Sequence, residues 1–344
     1  MKKTMRKIKM LFIVVGIIVM FSLASCGGSG SSGSSSAADS KAAAPLRFKT
    51  GITVSLNTIY GQGLVRIAEE IKKSTNGKVE VEVFGNAQLG NERDMLEGAQ
   101  LGTIDMPTAA NAVITNFVPQ MAILDLPFLF LNIEKAHKVI DGKLGDMIAK
   151  ELATKSIHVL GWMDAGYRQF YSVKPVNKAA DFKGLKVRTM ENQIHISFFN
   201  ALGAIGTPMP SGEQYTAFQQ GTIDAAENGL TFILEGKYFE VTKNVTWTNH
   251  VFGFIAFMAS DKAWKQIPDD LKPAVKDGAL KGCAYERDLL QKSTETTVAD
   301  LKKQGVTFHE IDFNSLRDTV APAMSTFLNR IPKEWVDVFN DAVK

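Results

Sequence analysis

Two arginines stand where strands meet turns. Arg188 closes the apolar strand pattern of "GLKVRTMEN" (184–192), with a helix pattern starting just after it, and Arg168 sits in "MDAGYRQFY" (163–171) where a turn passes into a strand. A guanidinium is always charged and presents a planar fork of N–H donors that matches a carboxylate with two parallel hydrogen bonds. A helix beginning behind it would add positive potential from its first turn. An average arginine makes a surface salt bridge. An arginine at the carboxyl end of an apolar strand is better placed to select an anion, and it can do so without performing chemistry on it.

The other chemistries lack their residues. The five histidines (137, 158, 195, 250, 309) fall at no i, i+3 or i+4 pairing, and the chain has no Cys-x-x-Cys, so no zinc site is expected. His195, at a probable helix start, reads as a packed or surface histidine. No phosphate loop G-x-x-x-x-G-K-[ST] and no G-x-S-x-G elbow occurs, and "GQG" (61–63) lacks the third glycine of a dinucleotide fingerprint. No cofactor, metal or catalytic group is expected, and the chain does not read as an enzyme.

The elements that would position the arginines follow from periodicity. "LRFKTGITV" (46–54) has strand character. "GLVRIAEEIKKSTNG" (63–77) places Leu64, Ile67, Ala68 and Ile71 on one helical face. "KVEVEVFG" alternates as a strand, "NERDMLEGAQLG" is a helix capped near Gly90 or Asn91 and ended at Gly102, and "TIDMPTAA" is a short strand. This β-α-β-α-β order predicts an α/β fold with a mostly parallel sheet under helices. Residues 112–154 read as helical, with the apolar run "AILDLPFLF" (122–130) as core packing.

A second alternating block begins near Ser156. "IHVLGWM" and "RQFYSV" read as two strands, "GLKVRTM" as a strand, "QIHISFFNALG" as a helix and "AIGTPMP" as a strand. "SGEQYTAFQQG" reads as a helix, "TIDAAEN" as a strand, "LTFILEGKYFE" as a helix and "GFIAFMAS" as a strand, before a largely helical stretch from Pro268 to Gly305. "VTFHEID" is a last short strand before helices at the C-terminus. One phrase recurs between the blocks: "QLGTIDMPTAAN" (100–111) and "QQGTIDAAEN" (219–228). Each is a helix end, a glycine cap and a strand closed by Asn, so two domains would present matching strand ends across one cleft.

The N-terminus carries a different message. Lys2, Lys3, Arg6, Lys7 and Lys9 precede the apolar run Met10–Phe21, and "LASC" (23–26) follows. Basic, apolar and small-residue segments in that order form an export signal, and the apolar run is short for a membrane span. "LASC" resembles the bacterial lipoprotein lipobox, which implies lipidation at Cys26. A Gly/Ser-rich tether (26–45) comes next. Removing the five basic groups of residues 1–25 turns the formal charge from +3 to −2, so no nucleic-acid binding is read from charge. Cys283 then has no partner for a disulfide.

Four motifs carry a further resemblance: "GNAQLGNERDMLEGAQLGTIDM" (85–106), "GLKVRTMEN", "ALGAIGTPMPSGEQYTAFQQGTIDAAEN" (201–228) and "KYFEVTKNVTWTNH" (237–250). Together they resemble the extracytoplasmic solute receptors of TRAP transporters, the DctP type, over nearly all of the chain after the tether. The resemblance implies a two-domain periplasmic-binding-protein-like fold (type II-like) with mixed, mostly parallel sheets and a long helix spanning both domains. Domain I would comprise 46–165 plus about 254–290, and domain II 166–253 plus about 291–344. It implies a monomeric receptor, lipid-anchored outside the cell membrane or in the periplasm. Such a receptor closes on an organic acid and hands it to a small and a large permease subunit.

In that family the arginine matching Arg188 makes the main salt bridge to the ligand carboxylate, and that matching Arg168 often adds a second contact. Asn228 would line the cleft, Asn111 would mark where the first domain's strand reaches it, and Ser211 stands where many members carry a bulkier residue. Departures are Gly229, where many relatives have Pro, and Asn57 in a loop where many have His. A sugar acid such as a uronate or ketogulonate is favoured over a C4-dicarboxylate. The alternatives are a sensing partner of a membrane signalling system and an enzyme built on the same scaffold.

Overall fold

A computed structural model describes residues 44–344 apart from Leu131; Cys26, the export segment and most of the tether lie outside the described residues. In chain order the strands are β1 (Leu46–Gly51), β2 (Val79–Phe84), β3 (Thr108–Ala110), β4 (Ile157–Ser172), β5 (Lys186–Thr189), β6 (Ile205–Pro208), β7 (Ala225–Gly229), β8 (Asn244–Thr246), β9 (Phe252–Ser260) and β10 (Thr307–His309). Helix α1 (Ile59–Ser74) links the parallel pair β1–β2, and α2 (Glu92–Leu101) leads to β3. The periodicity of α1 has its expected consequence, since Leu64, Ile67 and Ile71 are fully buried.

The two lobes are joined through one strand. From Ile157 to Tyr167, β4 pairs antiparallel with β9, which in turn pairs with β3. From Arg168 onward it pairs with β7 and β8 instead. In the second lobe β5 runs parallel to both β6 and β7, and β10 runs parallel to β8. The parallel pairs thus sit outboard, and the antiparallel β4 and β9 form the crossing.

The structure differs from the sequence expectation in three places. "IHVLGWM" and "RQFYSV" are one continuous strand, because the "DAG" between them is absorbed as a bulge at Asp164/Gly166, with Gly166 at φ 74°, rather than as a turn. "LTFILEGKYFE" is not one helix. It stops at Glu235, where Lys237 takes a left-handed conformation before a short 3-10 turn. Strand β8, "NVT", was not expected; three residues with one apolar side chain carry too little pattern.

The repeated phrase builds the same junction twice. Gly102 and Gly221 both adopt positive φ, 71° and 67°. Thr103 and Thr222 each donate a hydroxyl hydrogen bond to a helix carbonyl five residues back, at 3.1 and 3.0 Å. Asp105 and Asp224 each accept the backbone N–H of a lysine on the neighbouring strand, Lys49 at 3.0 Å and Lys186 at 2.9 Å. Helix end, turn and strand entry are fixed in register by the same three residue types in both lobes.

A 32-residue helix, Lys272–Lys303, runs along both lobes. Val275, Ala279 and Cys283 pack into the core of the first with Ile67 and Ile71, while Leu301 packs with Tyr171, Tyr238 and Val245 in the second. Gly278 and Gly282 face α1 at backbone distance: a Cβ at Gly282 would lie 2.4 Å from the Ile67 Cα. Gly282→Ala must therefore separate two packed helices, and overpacking of this kind costs about 1–3 kcal/mol. We expect a lower urea midpoint for that variant by equilibrium denaturation; an unchanged midpoint would contradict the close approach.

Candidate functional site

Arg188 and Asn228 are the penultimate residues of β5 and β7, and both side chains are buried where the lobes meet. They line a cleft of about 490 Å3 together with Thr53, Tyr60, Glu92 and Ala110. A contiguous recess shares Arg188, Glu92, Met190 and Ser211. The first lobe contributes the loop after β1, the start of α2 and the end of β3. The second contributes β5, β7 and the Ser211 turn.

The Arg188 guanidinium is nearly unexposed and has no carboxylate partner among the described residues. Its Nε and Nη2 donate to one acceptor, the Met209 carbonyl, at 3.0 and 2.7 Å. Its Nη1 is buried with no hydrogen-bond partner. Burial lowers its pKa, an effect that Tyr171 and Glu227 only partly oppose. A buried cation with a free nitrogen on a cleft wall has the chemistry to receive an anion, since a carboxylate can supply both a charge and an acceptor.

Arg168 is placed beside it in a different electrostatic state. Its Nε and Nη2 donate to the Glu227 carboxylate, its Nη2 also to the Glu227 carbonyl at 2.8 Å, and its Nη1 to Asn228 Oδ1 at 3.1 Å. Burial would lower its pKa, but Glu227 more than offsets this. Burial would likewise raise the Glu227 pKa, yet Arg168 and the neighbouring His195 and His250 hold it well below the usual carboxylate range. The charge of Arg168 is thus already matched within the protein.

The remaining sequence-predicted positions divide. Asn228 and Ser211 line the cleft. Asn111 does not: its amide donates to Asp125 Oδ1 at 2.6 Å and its carbonyl accepts from Phe254 N at 2.9 Å, and its neighbour Ala110 takes the cleft position. Asn57 is exposed, and from the same loop Thr53 and Val54 reach the cleft instead. The helix after Arg188 does not present free amides to a ligand, since Asn192 accepts from Ile194 N and His195 N. Gly229 has its own reason: a Cβ there would lie 2.5 Å from the Ala165 carbonyl oxygen.

Sequence reasoning missed Glu92 and Glu227. Glu92 opens α2 and faces Arg188 across the cleft, its Oε2 accepting from Ala110 N at 3.3 Å; burial raises its pKa against the pull of that bond and of Arg188. "NERD" reads as a helix start, and an acid at a helix start has an ordinary explanation. The signal for Glu227 was its alternation with Ala226 and Asn228, which alone does not identify a counter-ion. Among the described residues no group of three or more His, Cys, Asp or Glu side chains could hold a metal ion. A larger void of about 720 Å3 borders the same hinge strand, but its arginine, Arg287, is engaged with Asp141 at 2.6 and 3.0 Å.

Comparison with known proteins bears on the same geometry. The profile of "Bacterial extracellular solute-binding protein, family 7", DctP, matches residues 50–330. A solute-binding protein of Verminephrobacter eiseniae is 34% identical over 303 residues, 88% of this chain and 90% of its own length. The sugar-acid-binding protein of Advenella mimigardefordensis, solved with galactonate, superposes with a TM-score of 0.84 at 30% identity, covering 87% of this chain and 98% of that one. A TRAP periplasmic solute-binding protein of Sulfurospirillum deleyianum, solved with succinate, gives 0.81 at 29% identity over 88% and 100%.

The pairing of Arg168 is testable without any ligand. Glu227→Ala leaves a guanidinium buried without its counter-charge, and breaking a buried pair in this way costs about 3–5 kcal/mol. Chemical denaturation should show that loss, with Glu227→Gln less affected; a loss below about 1 kcal/mol for the alanine variant would contradict the assigned pairing.

Proposed function

The chain belongs to family 7 of the bacterial extracellular solute-binding proteins, the DctP family of TRAP-transporter receptors, and from that membership we propose that it captures a sugar acid on Arg188. The protein is an extracytoplasmic binding protein of transport and not an enzyme. The observation that carries the proposal is the buried Nη1 of Arg188 with no partner, set in a cleft whose other arginine is neutralised by Glu227.

One free cation suits one carboxylate. The opposite wall offers Glu92 and Thr53, and Ser211 and Asn228 flank Arg188 on its own lobe; all four can exchange hydrogen bonds with hydroxyls, whereas a second carboxylate would meet the Glu92 carboxyl. A C4-dicarboxylate is the second reading, because Arg168 Nη1 has one proton beyond its bond to Asn228. The Advenella protein holds galactonate and the Sulfurospirillum protein succinate, so both chemistries occur on this scaffold.

In this reading Arg188 clamps the carboxylate, Asn228 and Ser211 meet hydroxyls from the second domain, and Glu92 meets them from the first. Arg168 tunes the field beside the clamp, and Asn111 holds Asp125 and β9 behind the wall. We keep the domains at 46–165 plus about 254–290 and 166–253 plus about 291–344; the change of partner in β4 between Tyr167 and Arg168 supports the first boundary. Closure is a hinge motion about the two crossing strands. The loaded receptor would deliver its ligand to the small and large TRAP membrane subunits as a monomer, tethered by a lipid on Cys26. Among the described residues no helix is long and apolar enough to cross a membrane, so tethering rests on the N-terminal segment.

Calorimetry tests the ligand reading. Galactonate and gluconate should bind more tightly than succinate, and Arg188→Ala should weaken them at least about 100-fold, as expected when one partner of a buried charged contact is removed. Unchanged affinity in that variant would sink the assignment. For the anchor, Cys26→Ser should move the protein from the membrane fraction to the soluble fraction of expressing cells; an unchanged distribution would refute it.

A further inference from the structure

Beside the cleft-lining residues Tyr60 and Phe232, a second acid ties the lobes together. Glu235 ends the helix Leu230–Glu235, which follows β7 in the second lobe. Its Oε1 accepts from the backbone N–H of Ile59, the first residue of α1 in the first lobe, at 2.9 Å across 176 positions of sequence. Its Oε2 is buried without a partner. Beside it the Tyr60 hydroxyl donates to the Ala165 carbonyl at 3.3 Å and lies 3.1 Å from Thr231 Oγ1, and the Tyr60 ring packs on Phe232. The first turn of α1 is thereby completed by the opposite lobe, since Thr58 supplies a side-chain cap only to Gly61 N.

We propose that Glu235 is a proton-dependent clasp: its carboxyl, seated on the first turn of α1, positions the two lobes in the closed state and takes up a proton when they close. This rests on the reading of the protein as a receptor that closes on a sugar acid. The charged and titratable groups around the clasp are Tyr60 on α1, Glu286 on the long helix and, beyond Tyr60, Arg168 on β4. No cation is bonded to the Glu235 carboxylate among the described residues. Opening the lobes would return Oε2 to water and leave Ile59 N to solvent.

The sign of the pH effect follows. Burial pushes the Glu235 pKa up to about 7 against the Ile59 bond, from an ordinary 4.5 when solvated. The closed state therefore holds more protons than the open state between those values. Ligand affinity is greatest at low pH, falls as pH rises from about 4.5 to about 7, and levels off above. Other groups near the cleft titrate too, among them Glu92, His195 and His250, so the comparison must isolate Glu235.

Galactonate affinity measured by calorimetry at pH 5.5, 6.5, 7.5 and 8.5 does so with Glu235→Gln, which keeps an acceptor for Ile59 but does not titrate. Wild type should weaken on the order of tenfold between pH 5.5 and 7.5, and Glu235→Gln should change less than about twofold beyond any drift shared with wild type. The same pH profile in both proteins overturns the clasp. If galactonate fails to bind wild type at every pH, the ligand reading fails instead. The Ile59 amide resonance then decides: a midpoint near 7 in wild type that is absent in Glu235→Gln upholds the clasp, and a flat resonance in wild type overturns it.

Discussion

A guanidinium held out of water with one nitrogen unmatched is the constraint around which the rest of this structure is arranged. Arg188 rests its Nε and Nη2 on a single carbonyl, Met209 O, and keeps Nη1 for something else. Burying a cation is unfavourable unless it is paired, and a carboxylate at Nη1 would relieve that cost. Parallel β5 sets that side chain at a strand end, the Ser211 turn supplies the carbonyl, and α2 closes the opposite wall with Glu92. The second arginine is prevented from competing because Glu227 neutralises it on the adjacent strand.

Two features would let the walls move without losing their form in the proposed closure. The Thr and Asp side chains of the repeated junction lock each lobe's strand entry to its own neighbour, so each lobe is rigid where it delivers a strand end. Strands β4 and β9 and the long helix cross between the lobes, and β4 exchanges partners within one residue of Arg168. Arg168 therefore sits on the strand that crosses between the lobes, and the Glu235–Ile59 contact bridges them.

Much of this was legible in the chain. The alternation of "KVEVEVFG", the face of Leu64, Ile67 and Ile71, and the helix end at Gly102 gave the first lobe, because each pattern is local. Arg188 was legible because a charged residue closing an apolar strand is out of place unless something meets it. What stayed hidden depended on contacts far apart in sequence. Asn111 and Asn228 close matching phrases, yet Asn111 is consumed by Asp125 and Phe254 while Asn228 lines the cleft. Asn57 lay in the right loop, but the backbone turns Thr53 and Val54 inward in its place. Neither the neutralisation of Arg168 nor the bond from Glu235 to Ile59, 176 positions away, leaves any local pattern.

In the proposed reading the unmatched Nη1 puts charge before shape in recognition, with Glu92, Thr53 and Ser211 refining the choice. The most direct measurement compares wild-type binding of galactonate with that of galactitol, which keeps the hydroxyls and lacks the carboxylate. The acid should give a calorimetric isotherm, and the alcohol no detectable heat at millimolar concentration. Equal affinity for the two would contradict this reading.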